Sequence, residues 1–418
     1  MVKLLIIADD FTGALDTSIQ FAKRGALTVV RTKRNVDYGA LEPDISVVVV
    51  DSETRHVTAE EAYKVVSEIV DSAVKAKVPY IYKKTDSVLR GNVGAELAAL
   101  CDRGLGMVHF APAFPDMGRT TCNGIQYVDG LPIAKSVFGN DPFEPVMTSS
   151  IPELIKAETD TPVHLISKGE EVNISGKGIY LYDAEKASDL WSIATNLKKN
   201  HQLMTLAGCA GFADSLAGVM HISDRPDKTL NIPKGLCIVC GSVNPVTVRQ
   251  MDIAEKIGIS RVHIDRTMCL NDSWINSGEA VNLVHTWIST VDNEGAVLLD
   301  VNSGSDVPLS DMKINPDDRG KVSENLGKIV KCMIDGGLNA TLFLTGGDTL
   351  LGAMNALNVY ALTPITEVMP GVVVSSFNYG EKDIYCISKS GGFGGENLIP
   401  ELCEILGSDV EINKGIPV

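Results

Sequence analysis

Short apolar runs alternate with longer amphipathic stretches along most of this chain, and that alternation leaves few folds open. Leu4–Ala8, Leu27–Val30, Ile45–Val50, Tyr80–Tyr82 and Met107–Phe110 are brief and partly β-branched. Parallel strands buried on both faces have this character. Helical periodicity lies between them, clearest over Ala14–Arg24 and Ala59–Ala76. Such a series predicts a parallel sheet with helices on both faces. Asn123–Pro152 is rich in Gly and Pro and reads as long loops, after which the alternation resumes over Gly178–Tyr182, Ala184–Lys198, His201–Ala207 and Phe212–Val219.

Ser223–Lys234 is polar, holds two prolines and lacks periodicity, which predicts a linker. A second series follows: strands at Leu236–Cys240, Val262–Ile264, Ala296–Val301, Thr341–Leu344, Val372–Ser376 and Ile384–Ile387, with helices near Val246–Ile257, Gly278–Ser289, Gly320–Asp335 and Glu396–Leu406. The expected fold is therefore α/β with two domains, residues 1–224 and 235–418. Each is a mostly parallel sheet flanked by helices, and the active site is expected in the cleft between them. A length of 418 residues gives each domain enough chain for its own core.

Net charge is −16, from 53 acidic and 37 basic residues, so nucleic acid or an anionic membrane surface is not the expected partner. A phosphate ligand remains compatible, because backbone N–H groups and Mg²⁺ can supply local positive charge. The opening MVKLLIIADD breaks off in two aspartates, unlike a signal peptide, and no apolar run is long enough to span a bilayer. A soluble, cytoplasmic protein is expected. Cys237 and Cys240 form the chain's C-x-x-C, but residues three apart on a strand point to opposite faces. The nine cysteines thus read as structural thiols of a reducing compartment.

In open parallel sheets ligands bind at the carboxyl ends of the strands. In the first series those ends carry Asp9-Asp10-Phe11-Thr12-Gly13, Asp51-Ser52-Glu53-Thr54-Arg55-His56 and Lys83-Lys84-Thr85-Asp86-Ser87, the last followed by Val88-Leu89-Arg90-Gly91-Asn92. Carboxylates, cations and hydroxyls on one edge suit a small polyhydroxy acid: Arg55 and Lys84 for its carboxylate, Asp10 and Asp86 for its hydroxyls. Helix capping alone would explain Asp9 or Thr12 but neither cation. In the second series the ends are Gly241-Ser242-Val243-Asn244, Thr345-Gly346-Gly347-Asp348-Thr349 and Ser388-Lys389-Ser390-Gly391-Gly392. Small residues opening toward a helix let N–H groups approach phosphate oxygens, which points to a nucleotide cradle.

Familiar alternatives are excluded. The Gly-Lys pairs at Gly176, Gly320 and Gly327 are followed by Gly, Val and Ile, so no P-loop is present. No G-x-G-x-x-G follows a strand, which argues against a nicotinamide-dependent dehydrogenase. IIADDFTGA lacks the second aspartate of the haloacid-dehalogenase phosphatases, and neither H-E-x-x-H nor G-x-S-x-G occurs.

IADDFTGA, KKTDSVLRGN, APAFPDMGRTT, GSVNPVT, TGGDT and KSGGFG, in that order, resemble the motif blocks of the four-carbon acid sugar kinases. The resemblance covers nearly the whole chain. It implies an N-terminal acid-sugar domain, a C-terminal nucleotide domain, and ATP-dependent phosphorylation of the terminal hydroxyl of a tetronate such as D-threonate or D-erythronate. By resemblance, substrate contacts fall on Asp10, Arg55, Lys84, Thr85, Asp86 and Ser87. ATP contacts fall on Ser242, Gly346, Gly347, Asp348, Thr349, Gly391 and Gly392. Asp348 stands where many members have Glu, and the residues around Arg55 match loosely. Asp86 is expected as the general base, ahead of Asp10, because Lys84 beside it should lower its pKa. Mg²⁺ would bridge the phosphate oxygens. Alternatives are a 3-oxo-tetronate kinase and a non-catalytic acid-sugar sensor. The sequence leaves the metal ligands unassigned and a homodimer open.

Overall fold

The structure, a computed structural model, describes residues 1–104, 106–140, 145–170, 176–223, 232–302, 316–389 and 392–407; the side chains of 266–267 and 316–319 lie outside that description. The chain forms two compact units that divide between residues 227 and 228. The division falls within Ser223–Lys234, most of which lies outside the described residues.

The first unit runs β1 (Leu4–Ala8), α1 (Phe11–Ala22), β2 (Thr28–Arg31), β3 (Val47–Asp51), α2 (Ala59–Lys75), β4 (Tyr80–Lys84), α3 (Val93–Arg103) and β5 (Met107–Ala111). It continues through β6 (Arg119–Cys122), β7 (Ile125–Val128), β8 (Leu131–Pro132), α4 (Ile151–Lys156), β9 (Val163–Ile166), β10 (Gly178–Tyr182), α5 (Ala187–Lys199), β11 (Thr205–Gly208) and α6 (Ala210–Met220). Its main sheet has the order β2-β3-β1-β4-β11-β5-β10-β9, and every pairing is parallel. β1, all apolar, and β3, apolar up to Asp51, are buried throughout, as strands covered on both faces are. α2 shows why its residues form a helix. Thr58 caps it by accepting a bond from the Glu61 N–H, two glutamates sit in its first turn, and Ala62, Val65, Val66, Ile69, Val70 and Ala73 form one buried stripe.

The described part of the segment 123–152, residues 123–140 and 145–152, is not a set of long loops. Strands β6, β7 and β8 make a small antiparallel sheet, joined to short 3₁₀ turns, before α4 begins at Ile151. These strands are two to four residues long and interrupted by Gly and Pro. They hold together by tertiary pairing and by the apolar cluster of Val88, Val128, Ile133 and Val146.

The second unit comprises β12 (Leu236–Cys240), α7 (Pro245–Lys256), β13 (Ser260–His263), α8 (Arg266–Leu270), α9 (Gly278–Glu294), β14 (Ala296–Asp300), α10 (Pro316–Asp335), β15 (Thr341–Thr345) and α11 (Gly347–Leu357). β16 (Ala361–Met369), β17 (Val372–Tyr379), β18 (Lys382–Lys389) and α12 (Leu398–Leu406) complete it. Its strands follow β13-β14-β12-β15-β18-β17-β16, parallel up to β18 and antiparallel beyond. β16 was not expected from sequence, because Pro364 interrupts it and most of its residues are only half-buried. Leu236, Ile238, Phe343, Val374, Ile387 and Leu402 lie in its core, each worth about 1.5–3 kcal/mol of burial.

Candidate active site

Both sheets contain a switch point, where neighbouring strands send their following helices in opposite directions. In the first unit β1 leads through α1 to β2 on one side, and β3 leads through α2 to β4 on the other. β1 and β4 are adjacent, so a crevice opens beyond their carboxyl ends. Two successive lysines on β4 show that the helices lie on opposite faces. Lys83 Nζ pairs with Glu96 of α3 at 3.0 Å, whereas Lys84 Nζ lies beside Gly13 in the first turn of α1. A Cβ on Gly13 would stand 2.4 Å from Asp10 Oδ1 and 2.7 Å from Lys84 Nζ, so the absence of a side chain there is required.

The structure brings Asp10, Arg55, Lys84 and Asp86 together. Arg55 is the hub: its Nε and Nη2 each lie 2.7 Å from Asp9 Oδ2, Nη1 lies 2.9 Å from Asp10 Oδ2, and Nη2 lies 3.9 Å from Asp86 Oδ1. Burial alone would weaken its charge, but the carboxylates of Asp10, Asp9 and Asp86 raise its pKa further. Asp10 also caps α1, accepting from the Gly13 N–H at 3.0 Å and from Thr12 Oγ1 at 2.8 Å. Burial pushes its pKa up, yet Arg55, Lys84 and the Thr12 bond bring it below the usual range. Lys84 is buried as well; desolvation works against its charge, but Asp9 and Asp10 raise its pKa. Ser87 lies on the turn that follows, its carbonyl accepting a bond from Gln126 Nε2 of β7 at 3.1 Å.

Asp86 does not cap the helix after it. Its Oδ2 accepts from Arg90 Nε at 2.7 Å and from the Arg90 N–H at 3.3 Å, closing a turn in which Leu89 adopts φ 62°. Burial raises its pKa, but Arg90 first, and then Arg55, hold the carboxyl far below its ordinary range. Lys84, expected from sequence as the main cause, comes after both.

Several strand-end residues to which the sequence assigned no role take part here, together with Glu96, which it did not single out. Lys83, Glu96, Thr54 and Ser52 form a buried chain: Lys83 pairs with Glu96, Thr54 donates to Glu96, and Ser52 Oγ meets Thr54 Oγ1 at 2.7 Å and donates to the Ala8 carbonyl at 2.6 Å. This chain fixes the loop that carries Arg55. Period-two alternation shows that Lys83 and Lys84 face opposite ways, but only the tertiary fold supplies Glu96. Asp51 is 1% exposed, and its pKa is raised well above the usual value by burial and by the charges of Glu53 and Asp10. Asp51 Oδ2, Asp9 Oδ1 and Thr85 Oγ1 are buried oxygens without a hydrogen-bond partner within the protein.

The second unit repeats the arrangement. β12 leads through α7 to β13, β14 leads through α10 to β15, and β12 and β15 are adjacent. Their turns touch: a Cβ on Gly241 would meet Thr349 Oγ1 at 2.3 Å, and one on Gly346 would come to 3.6 Å from Ser242 Cβ. Gly346 has φ 93° and begins α11 without a side-chain cap, with Gly347 and Asp348 in the first turn. Asn244 caps α7. Ser242 is braced from β14's end, where Asn302 Nδ2 donates to its carbonyl at 3.0 Å. Gly391 lies outside the described residues, whereas Gly392 is described and has open space around it. Lys389, read at the strand end without a role, is buried at the end of β18 and donates to Thr247 Oγ1 and to the Phe393 carbonyl, both at 3.0 Å. Desolvation lowers its pKa to about 8. Gln250 grips the carbonyls of Phe393, Gly394 and Gly395 and sets the course of that turn.

Comparison with known proteins agrees with this division. Residues 4–216 match the model of a sugar-binding N-terminal domain, and residues 237–399 match that of a nucleotide-binding C-terminal domain. The chain is 29% identical to a D-threonate kinase of Salmonella typhimurium, over 97% of this chain and 98% of that protein. It is 26% identical to a D-erythronate kinase of Heliobacterium modesticaldum (88% and 89%) and 26% to a 3-oxo-tetronate kinase of Pseudomonas fluorescens (94% and 94%). In fold it resembles crystal structures of a Salmonella typhimurium protein (TM-score 0.81, 21% identity, 96% and 99% covered) and a Haemophilus influenzae protein (TM-score 0.72, 21% identity, 96% and 100% covered).

Proposed function

Since the chain belongs to the family that joins a sugar-binding N-terminal domain to a nucleotide-binding C-terminal domain, we propose that it is an ATP-dependent kinase for the terminal hydroxyl of a four-carbon sugar acid. The observation that carries this reading is the crevice between β1 and β4. It combines a cationic hub and ionised carboxylates with buried oxygens, Asp9 Oδ1 and Thr85 Oγ1, that lack partners within the protein. Buried polar atoms need partners, and a ligand rich in hydroxyls provides donors for them. Lys84 and Arg55 provide the positive potential that an acid requires, and Asp10 and Asp86 orient its hydroxyls.

Phosphoryl transfer asks mainly for positioning and charge neutralisation. Of the two aspartates, Asp86 is the poorer base, because Arg90 and Arg55 both stabilise its charged form. Asp10 has a more exposed side chain, at 24% against 10%. We therefore assign the proton from the attacking hydroxyl to Asp10, the reverse of the order expected from sequence. On the nucleotide side, the N–H groups at Gly346–Thr349 and the turn at Ser242 would hold phosphate oxygens.

Mg²⁺ suits this donor set. Among the described residues no group of three or more His, Cys, Asp or Glu side chains could cage a metal, and Mg²⁺ characteristically binds through one or two carboxylates plus phosphates. Asp348 would supply the carboxylate, and the ion would offset charge on the phosphate oxygens.

ADP release measured across D-threonate, D-erythronate, 3-oxo-tetronate and neutral tetritols tests the proposal. Turnover confined to the acids is expected. ADP release no faster with any acid than without one would overturn it.

A further inference from the structure

Four arginines and lysines around the first crevice are already committed to partners. Arg55 meets three carboxylates, Arg90 places Nε and Nη2 on Asp86, and Lys83 pairs with Glu96. Lys84 is buried beside Asp10. Arg119 differs. It is the first residue of β6, and its backbone is clamped from both sides: the Phe114 N–H donates to the Arg119 carbonyl at 2.8 Å, and the Arg119 N–H donates to the Phe114 carbonyl at 3.0 Å. Gly118, at φ 72°, makes the turn before it. The guanidinium carbon of Arg119 lies 6.0 Å from the centre of the Phe138 ring, and that of Arg90 lies 5.9 Å from the same centre. Arg119 Nη1 donates to the Met117 carbonyl, while its buried Nε has no hydrogen-bond partner within the protein.

Two like-charged guanidiniums beside one ring repel each other, and a half-buried cation with an unmatched N–H group is costly to desolvate. Both costs fall when an anion with two oxygens comes to the Arg119 fork. Arg90, which shares the Phe138 ring with Arg119, places its Nε 2.7 Å from Asp86 Oδ2, and that puts the Arg119 fork at the same crevice; the charges of Asp129 first, and then Asp86, offset part of its desolvation. We propose that Arg119 is the residue that recognises the ligand's carboxylate, with Phe138 and the β6–β8 sheet as the specificity element that holds it there. Arg55 then acts behind it, as a brace for Asp9, Asp10 and Asp86. The proposal rests on the sugar-acid reading above.

Calorimetry on the full chain without ATP tests it, with D-threonate or D-erythronate (whichever binds the unaltered protein) and the matching primary amide as probes. The unaltered protein should bind the acid far more tightly than the amide. Arg119→Gln should weaken acid binding roughly 10- to 100-fold, the range expected for hydrogen bonds to a charged group, and leave amide binding within about twofold. Arg119→Lys, which keeps the charge without the fork, should recover part of the acid preference and serves also if the glutamine variant does not fold. An unchanged preference in either variant, or equal losses for acid and amide, would overturn the assignment. Failure of the unaltered protein to bind either acid would sink the sugar-acid reading itself, an outcome distinct from these.

Discussion

At the scale of single residues, three of the aspartates at the first crevice are in different electrostatic states. Asp86 is doubly countered by arginines, Asp10 is shared between a cation and a helix cap, and Asp51 is buried among like charges. Asp10→Asn should lower kcat about 10²–10⁴-fold with little change in KM, because asparagine still caps α1 but cannot take a proton. Asp86→Asn should lower the melting temperature, since Arg90 and Arg55 lose a buried counter-charge, and raise KM more than it lowers kcat. Steady-state kinetics and melts on both variants check this, and a larger kcat loss in Asp86→Asn would restore it as the base. Asp51 gives a prediction of definite sign. Its folded pKa is raised, so its contribution to stability is full below the ordinary carboxylate pKa near 4 and is lost as pH rises through the folded value. Asp51→Asn should therefore melt above the unaltered protein by a margin that grows from pH 5 to pH 8. A margin that stays flat or shrinks would count against a raised pKa.

At the scale of elements, the glycines of the second unit have unequal duties. Gly241 is packed against Thr349, and Gly346 has a backbone angle that side chains resist, so both are needed by the fold itself. Gly392 has neither constraint. Gly392→Val should leave the melting temperature unchanged yet weaken ATP binding about tenfold or more, whereas Gly241→Val should lower the melting temperature. Normal ATP affinity in Gly392→Val would remove that residue from the site. This contrast also marks what was legible in the sequence. The regular β/α series and the polar residues at its strand ends were readable, because burial on both faces and helix initiation are local in sequence. β6–β8 and β16 were not: strands of two to four residues, or one broken by Pro364, acquire their identity from the strands they pair with. Arg90, Arg119 and Lys389 all stood inside recognised motifs, but which cation is spent on an internal carboxylate depends on contacts between distant segments. In the same way, the Lys83–Glu96 pair joins β4 to α3.

At the scale of the whole molecule, each unit has its own sheet, core and switch point. Ligands that bind one unit should steady that unit's strand-end turns. Hydrogen exchange read peptide by peptide should slow at residues 9–13 and 85–90 with a sugar acid alone, and at 241–247 and 346–349 with ATP alone. Slowing of the first set by ATP alone, with no effect on the second, would reverse the assignment of the two units. The first crevice also limits how such a protein can change its diet. Its floor is the gap between β1 and β4, paired along their whole length and so kept at the spacing of neighbouring strands, about 4.8 Å. No side-chain substitution widens that floor without breaking the sheet. Acceptance of a longer or bulkier acid is then expected to come from the short β6–β8 sheet and Phe138, whose strands pair over only two to four residues. Selection for new substrates would thus leave its mark in residues 114–138 while the strands beneath stay as they are.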